Sequence, residues 1–254
     1  MCSVTPLFIG LGTAVNVATV VVGSLIGLAV GNRLPERTRT TVTDVLGLTT
    51  LVIGGMNVAA MSSTAVTSSI GVGVALMVVL GSLLAGSIIG STLRLEDRFE
   101  ILAGWLRDRL GGTKEGGSRQ RFVNGFVTAT LVFCIGPLTI LGSLQDGLGK
   151  GADQLIVKAI LDGFASVAFA SSLGIGVMAS AIAVAVVQGS LTVLGFAAGD
   201  VLPALHIDVL TVTGGIILMG LSLRLLNLKQ VRVADMLPAL LIAPLVTQLI
   251  LAVR

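Results

Sequence analysis

Apolar residues occupy this chain in long unbroken blocks, and polar residues gather between them. The blocks fall near 8–31, 43–61, 69–92, 122–144, 155–173, 177–198, 209–226 and 236–253. Each approaches the roughly 20 residues that cross a bilayer as a helix. Backbone inside lipid must satisfy its own hydrogen bonds, which leaves helices or closed barrels. Barrel strands alternate apolar and polar positions, whereas these blocks are continuous. The pattern predicts an all-α protein, a polytopic transmembrane helical bundle of about eight spans. The weakest separation lies between the fifth and sixth blocks, where SSLGIG alone marks a turn, so the count is seven or eight.

One stretch departs from the pattern. In RLEDRFEILAGWLRDRLGG, Leu95, Phe99, Leu102, Leu106 and Leu110 recur at three- and four-residue steps among charges. This predicts an amphipathic helix, either lying on the membrane face or extending the third span into water. GGTKEGGSR follows as a flexible linker.

The phrase SSIGVGV at 68–74 returns as SSLGIGV at 171–177. GSLIGL at 23–28 and GSLQDGL at 142–148, VLG at 45–47 and LDG at 161–163, and GSL at 81–83 and 189–191 recur in the same order. The order suggests two three-span units, inverted because three is odd, plus two C-terminal helices. The expected segments are 1–93, a first repeat; 94–121, the amphipathic helix and linker; 122–199, a second repeat; and 200–254, the C-terminal pair. Inverted repeats are the common architecture of secondary transporters. Chance similarity between Gly-rich helices is the alternative.

Composition sharpens the class. Hydrophobic residues make up 54% and charged residues 11%, against about 25% charged in soluble domains. The net charge of +3 is no nucleic-acid signal, because the basic residues sit between the apolar blocks. Thirteen of the sixteen Lys and Arg lie in 32–39, 94–121 and 224–232. Cytoplasmic loops carry such an excess, so both termini are expected outside the cytoplasm. The N-terminus lacks a basic leader pattern and reads as a retained span. Cys2 and Cys134 read as unpaired thiols. His206 stands alone, so no metal site is expected, and neither is any other cofactor.

Candidate chemistry sits in a few polar residues inside the blocks. Asp162 lies near the middle of the fifth, with Lys158 one turn before it and Ser166 one turn after, on one face. A carboxylate at that depth costs from about 2.5 kcal/mol upward. Lys before Asp is also the less favourable order for supporting a helix. A substrate- or proton-handling site is the first reading; the other is a structural ion pair with Lys158 snorkelling. Pro137, flanked by Cys134, Gly136 and Thr139, breaks the fourth block. The freed carbonyls are open to an ion or substrate, or are satisfied by a neighbouring helix. Asn16 and Gln188 are intraspan amides that face a pathway or bond another helix. Gln145 and Asp146 line a vestibule or form a polar loop. The ladders Gly23, Gly27, Gly31 and Ser82, Gly86, Gly90 read as tight helix packing. Pro238 and Pro244 kink the last span.

CIGPLTILGSLQDGL at 134–148, KAILDGFASVAFASSLGIGV at 158–177, VTGGIILMGLSLRLLNLKQVRVADMLPALLIAPL at 212–245, and GTAVNVATVVVGSLIG with LPER resemble the bacterial inner-membrane family termed domain of unknown function 554. The resemblance implies a multi-pass inner-membrane protein and brings no activity, substrate or site. That pattern commonly has Asn where Asp235 stands, which implies no charge chemistry there. The expected function is a secondary transporter or channel for a small solute or ion; the alternative is a non-transporting scaffold or assembly protein. Enzymatic activity is not expected, since no HExxH or GxSxG motif occurs. The expected partners are the lipid bilayer, a small solute or ion, and a second copy of the chain, with no nucleic acid.

Overall fold

The computed structural model describes residues 8–31, 35–109, 116–134, 137–149, 151–198 and 203–253. Cys2, Leu110, Gly136 and residues 111–115 of the expected linker lie outside them, and the rest of that linker, Gly116–Arg119, is helical and opens the segment ending at Cys134. Every regular element among the described residues is helical: α1 (Leu11–Gly31), α2 (Glu36–Val58), α3 (Thr64–Ser69), α4 (Val72–Thr92), α5 (Leu95–Arg109), α6 (Gly116–Cys134), α7 (Pro137–Gly147), α8 (Asp153–Leu173), α9 (Gly176–Ala198), α10 (Ala204–Leu225) and α11 (Ala239–Val253). Short 3₁₀ turns cover Ala59–Ser62 and Ala234–Met236.

All eight apolar blocks coincide with helices. Seven helical segments are long and apolar enough to cross a membrane. The fourth block is two helices, Arg119–Cys134 and Leu138–Gly147, which meet at 63° and complete an eighth span if taken together. The predicted amphipathic helix is α5.

The doubled phrase has a local cause. In its first copy α3 ends at Ser69 and Gly71 takes φ +79° before α4. In its second copy α8 ends at Leu173 and Gly174 takes φ +84° before α9. Both glycines occupy the left-handed region that a Cβ disfavours. One tight helix–helix turn used twice is sufficient to account for the shared wording.

The described residues pack as two compact units that interleave along the chain. The first takes described residues from 1–46, 100–134 and 138–201. The second takes those from 47–99, 135–137 and 202–254.

In the first unit α1 lies against α8 with backbones touching. A Cβ on Gly23 would sit 2.4 Å from the Gly163 carbonyl oxygen. One on Gly27 would sit 2.3 Å from that of Val167, and one on Gly31 2.5 Å from that of Ser171. The ladder on α1 therefore meets a four-residue ladder on α8, as small residues at membrane helix interfaces do. α6 crosses α9 as closely, at Phe122 and Gly176.

The second unit surrounds α10. Its core joins Val66 and Ile70 of α3, Ala75, Val78 and Val79 of α4, Leu205, Val209 and Val212 of α10, and Ala243 of α11. The predicted ladder on α4 works here: Gly86 abuts Ala239, and Gly90 abuts the Asp235 backbone.

Candidate functional site

Asp162 sits nine residues into α8, about 14 Å from its start. Its side chain is ion-paired to Lys158, one turn earlier on the same helix. Asn16 of α1 donates its Nδ2 to the same carboxylate oxygen, Oδ2, at 3.0 Å. The three residues are 7%, 5% and 0% exposed in turn, so the cluster is shut away from solvent. The Gly23 ladder makes this possible, because it lets α1 approach α8 closely enough for Asn16 to reach the carboxylate.

Cys134, the last residue of α6, lies within electrostatic reach of both Lys158 and Asp162. α6 therefore ends beside the ion pair. Pro137 opens α7 as the spacing predicts. Across the break the Thr139 hydroxyl donates to the Phe133 carbonyl at 3.1 Å, so this end of α6 is capped by the chain itself. Phe133 packs edge-on against Phe169 of α8. Ser166 turns its hydroxyl back to the Gly163 carbonyl at 2.8 Å.

Asp146 is fully buried on α7. Its two oxygens accept from the Gly10 and Gly12 backbone N–H groups at 3.3 and 3.1 Å. A carboxylate here satisfies donors that the first turn of α1 leaves open, and its charge suits the helix dipole. Gln145 beside it is half-buried. Gln188 of α9 is fully buried, and neither its Oε1 nor its Nε2 has a partner among the described residues. Thr13 of α1 and Thr192 of α9 share a hydrogen bond at 3.2 Å, which sequence reasoning missed because isolated threonines are ordinary in membrane helices.

Two grooves run along the first unit. One of about 710 Å³ lies between α1 and α9, lined by Thr13, Ala14, Val17, Gly189, Thr192 and Phe196 among others. One of about 470 Å³ lies between α1 and α8 and is apolar throughout. Neither is lined by Asp162, Lys158 or Asn16.

The second unit holds another charged cluster, which the sequence did not announce. Glu96 of α5 is ion-paired to Arg224 of α10 and accepts from the Ala234 N–H at 2.9 Å. Asp235 returns the favour by accepting from the Glu96 N–H at 2.9 Å. Arg232 is 4.0 Å from Asp235. The charges flanking the spans were the available signal, and only the fold pairs them. Among the described residues no group of three or more His, Cys, Asp or Glu is placed to hold a metal.

The outer faces of the helices complete the picture. Phe164, Met77, Leu241 and Leu245 are each about 70% exposed, alongside many other large apolar side chains. Such surface is tolerated in hydrocarbon and not in water. With seven or eight apolar helical spans and a buried ion pair, this is a polytopic helical membrane protein.

A family profile described as Protein of unknown function (DUF554) matches residues 11–248, and the chain belongs to that family. It is similar to the Uncharacterized protein YqgA of Escherichia coli (strain K12), with 29% identity over 236 residues, 92% of this chain and 94% of the relative. It is likewise similar to the Uncharacterized membrane protein YdfK of Bacillus subtilis (strain 168), with 27% identity over 235 residues and the same coverage. No solved structure gives a significant match.

Proposed function

We propose that this protein is a secondary transporter or channel of the bacterial inner membrane, moving a small solute or ion past the Asp162–Lys158–Asn16 cluster without an enzymatic step. The observation that carries this reading is the ion pair itself, buried near the middle of a membrane helix. Desolvating two charges costs several kcal/mol per ion, which their attraction seldom outweighs. Stability is therefore a poor reason for the pair, and intramembrane ionisable residues mark solute and ion pathways as a rule. The interruption of the fourth span between α6 and α7 adds support, since interrupted helices supply transporter sites. The inverted three-span repeat, both termini outside the cytoplasm and assembly of more than one copy belong to the same proposal.

The test is measurement of solute and ion flux, together with electrical recording, on protein-loaded membranes under imposed ion and solute gradients. A current or flux in the wild type that disappears in folded Asp162→Asn supports transport. Flux that is absent, or unchanged by that substitution, overturns it.

One observation favours a scaffold instead. The pair neutralises itself, and the grooves along α1 do not reach it. A scaffold predicts that Asp162→Leu combined with Lys158→Leu leaves the protein folded and its cellular role intact.

A further inference from the structure

The last three turns of α5 divide sharply between inside and outside. Ala103 and Gly104 are buried, whereas Ile101, Leu102 and Trp105 are exposed. On a helix those three side chains and Arg109, one turn beyond Trp105, fall within about 100° of one another. They form one apolar stripe that ends in a cation. The Arg109 guanidinium lies over the Trp105 ring, 5.4 Å from its centroid.

A second guanidinium reaches the same turn from another helix. Arg119, near the start of α6, lies so close to Gly104 that a Cβ there would sit 2.8 Å from its Nη2. Gly104 precedes Trp105 in the chain, so Arg109 and Arg119 flank one exposed indole. All of these residues belong to the first unit. Both arginines are exposed, and neither has an ion-pair partner among the described residues. α5 also carries Glu100 and Asp108 on its surface, so a general basic surface is not what sets this turn apart. The distinguishing feature is two guanidiniums placed around an aromatic ring with aliphatic side chains beside it.

That combination has a chemical complement. Guanidinium groups bind phosphate oxygens in a bidentate fork. Tryptophan favours the headgroup level of a bilayer, and aliphatic side chains on such a helix enter the acyl boundary beneath it. We propose that Arg109, Arg119 and Trp105 form a binding site for the headgroup of an anionic phospholipid, with Ile101 and Leu102 against the start of its acyl chains. A zwitterionic lipid offers the same phosphate, but with a quaternary ammonium that two guanidiniums repel. The site therefore selects anionic lipid over phosphatidylcholine. Gly104 is a positioning residue: its missing side chain is what lets Arg119 lie against α5. The site is independent of the ion pair on α8 and of any transport.

Trp105 is the only tryptophan of the chain, so its emission reports on this turn alone. The experiment places the purified full chain in phosphatidylcholine vesicles with a small, equal share of acyl-brominated lipid, either phosphatidylglycerol or phosphatidylcholine, and reads Trp105 quenching. Brominated phosphatidylglycerol is expected to quench at least about twofold more, given the attraction of each Arg to anionic lipid. Arg109→Gln with Arg119→Gln brings that quenching down to the phosphatidylcholine level. Arg37→Gln with Lys229→Gln, two exposed cations elsewhere, keeps the preference. Gly104→Ala removes no charge, but its Cβ displaces the Arg119 guanidinium, so the preference falls there too. It also decides the matter if the double Gln variant does not fold. Equal quenching by the two lipids in the wild type overturns the proposal, as does no quenching by either. A preference that survives both the double Gln variant and Gly104→Ala, or that is lost equally with Arg37 and Lys229, overturns it as well.

Discussion

Asp146 and Asp162 are both intraspan carboxylates of the first unit, and their neighbours assign them different work. Asp146 accepts two backbone N–H groups at the start of α1 and pairs with no cation among the described residues. Its job is met by an acceptor at a buried helix end. Asp146→Ala leaves two donors unsatisfied and is expected to lower stability by about 1–3 kcal/mol, read as an earlier thermal transition in detergent, whereas Asp146→Asn keeps one acceptor and loses less. Asp162 instead answers to a lysine, so Asp162→Leu alone strands a buried ammonium and costs about 3–5 kcal/mol. The double change to leucine at Asp162 and Lys158 is expected to recover most of that stability in the same melting assay. Recovery would show that the pair is not kept for stability. In the second unit, Asp235 uses one oxygen to accept from the Glu96 N–H, so Asp235→Asn is expected to change stability by less than about 1 kcal/mol. A larger loss would mean that the contact with Arg232 matters more than its 4.0 Å separation and exposure suggest.

At the scale of the element, the seam between α1 and α8 positions everything else in the candidate site. Gly27 faces the Val167 carbonyl at a distance no side chain tolerates. Gly27→Leu is expected to push the helices apart, remove the Asn16 hydrogen bond and abolish monodisperse behaviour on size exclusion. Leu25→Ala, two residues away on the exposed face of the same helix, is expected to be nearly silent. If both behave alike, the seam is not what holds α1. α5 makes a related point. Ile101, Leu102 and Trp105 are exposed, and Arg109 stacks over Trp105 at 5.4 Å. An exposed apolar face with an aromatic and a cation fits the membrane interface, while Glu96 at its other end is buried in the charged cluster.

For the molecule as a whole, the testable property is topology. Single cysteines at Arg37 and Gly149, in a background with Cys2 and Cys134 replaced, distinguish the two sides. A membrane-impermeant thiol reagent on intact cells is expected to label Gly149 and spare Arg37, since the Arg-rich stretches belong on the cytoplasmic side. Labelling of both or neither would break the span count, and with it the inverted arrangement. Measured topology of the two glycine turns, at Gly71 and Gly174, would then decide whether one phrase lies on opposite faces of the membrane.

The sequence by itself determined the class, the spans and the break. Continuous apolar blocks admit one backbone solution in lipid, and all eight blocks became helices. Pro137 had to interrupt its block because it lacks an N–H and clashes with the preceding turn. Lys158 and Asp162 had to meet, because residues four apart share a helix face. Three things were not legible. Asn16 is on another helix, 146 positions away from Asp162, and no local rule connects them. Asp146 read as a vestibule or loop residue until its partners on α1 were known. Glu96, Arg224 and Asp235 are brought together from three separate stretches. Only the tertiary structure decided these, because in hydrocarbon helices associate through close packing and a few polar contacts. Those depend on which small residues face one another, and periodicity along one helix carries no information about its neighbour.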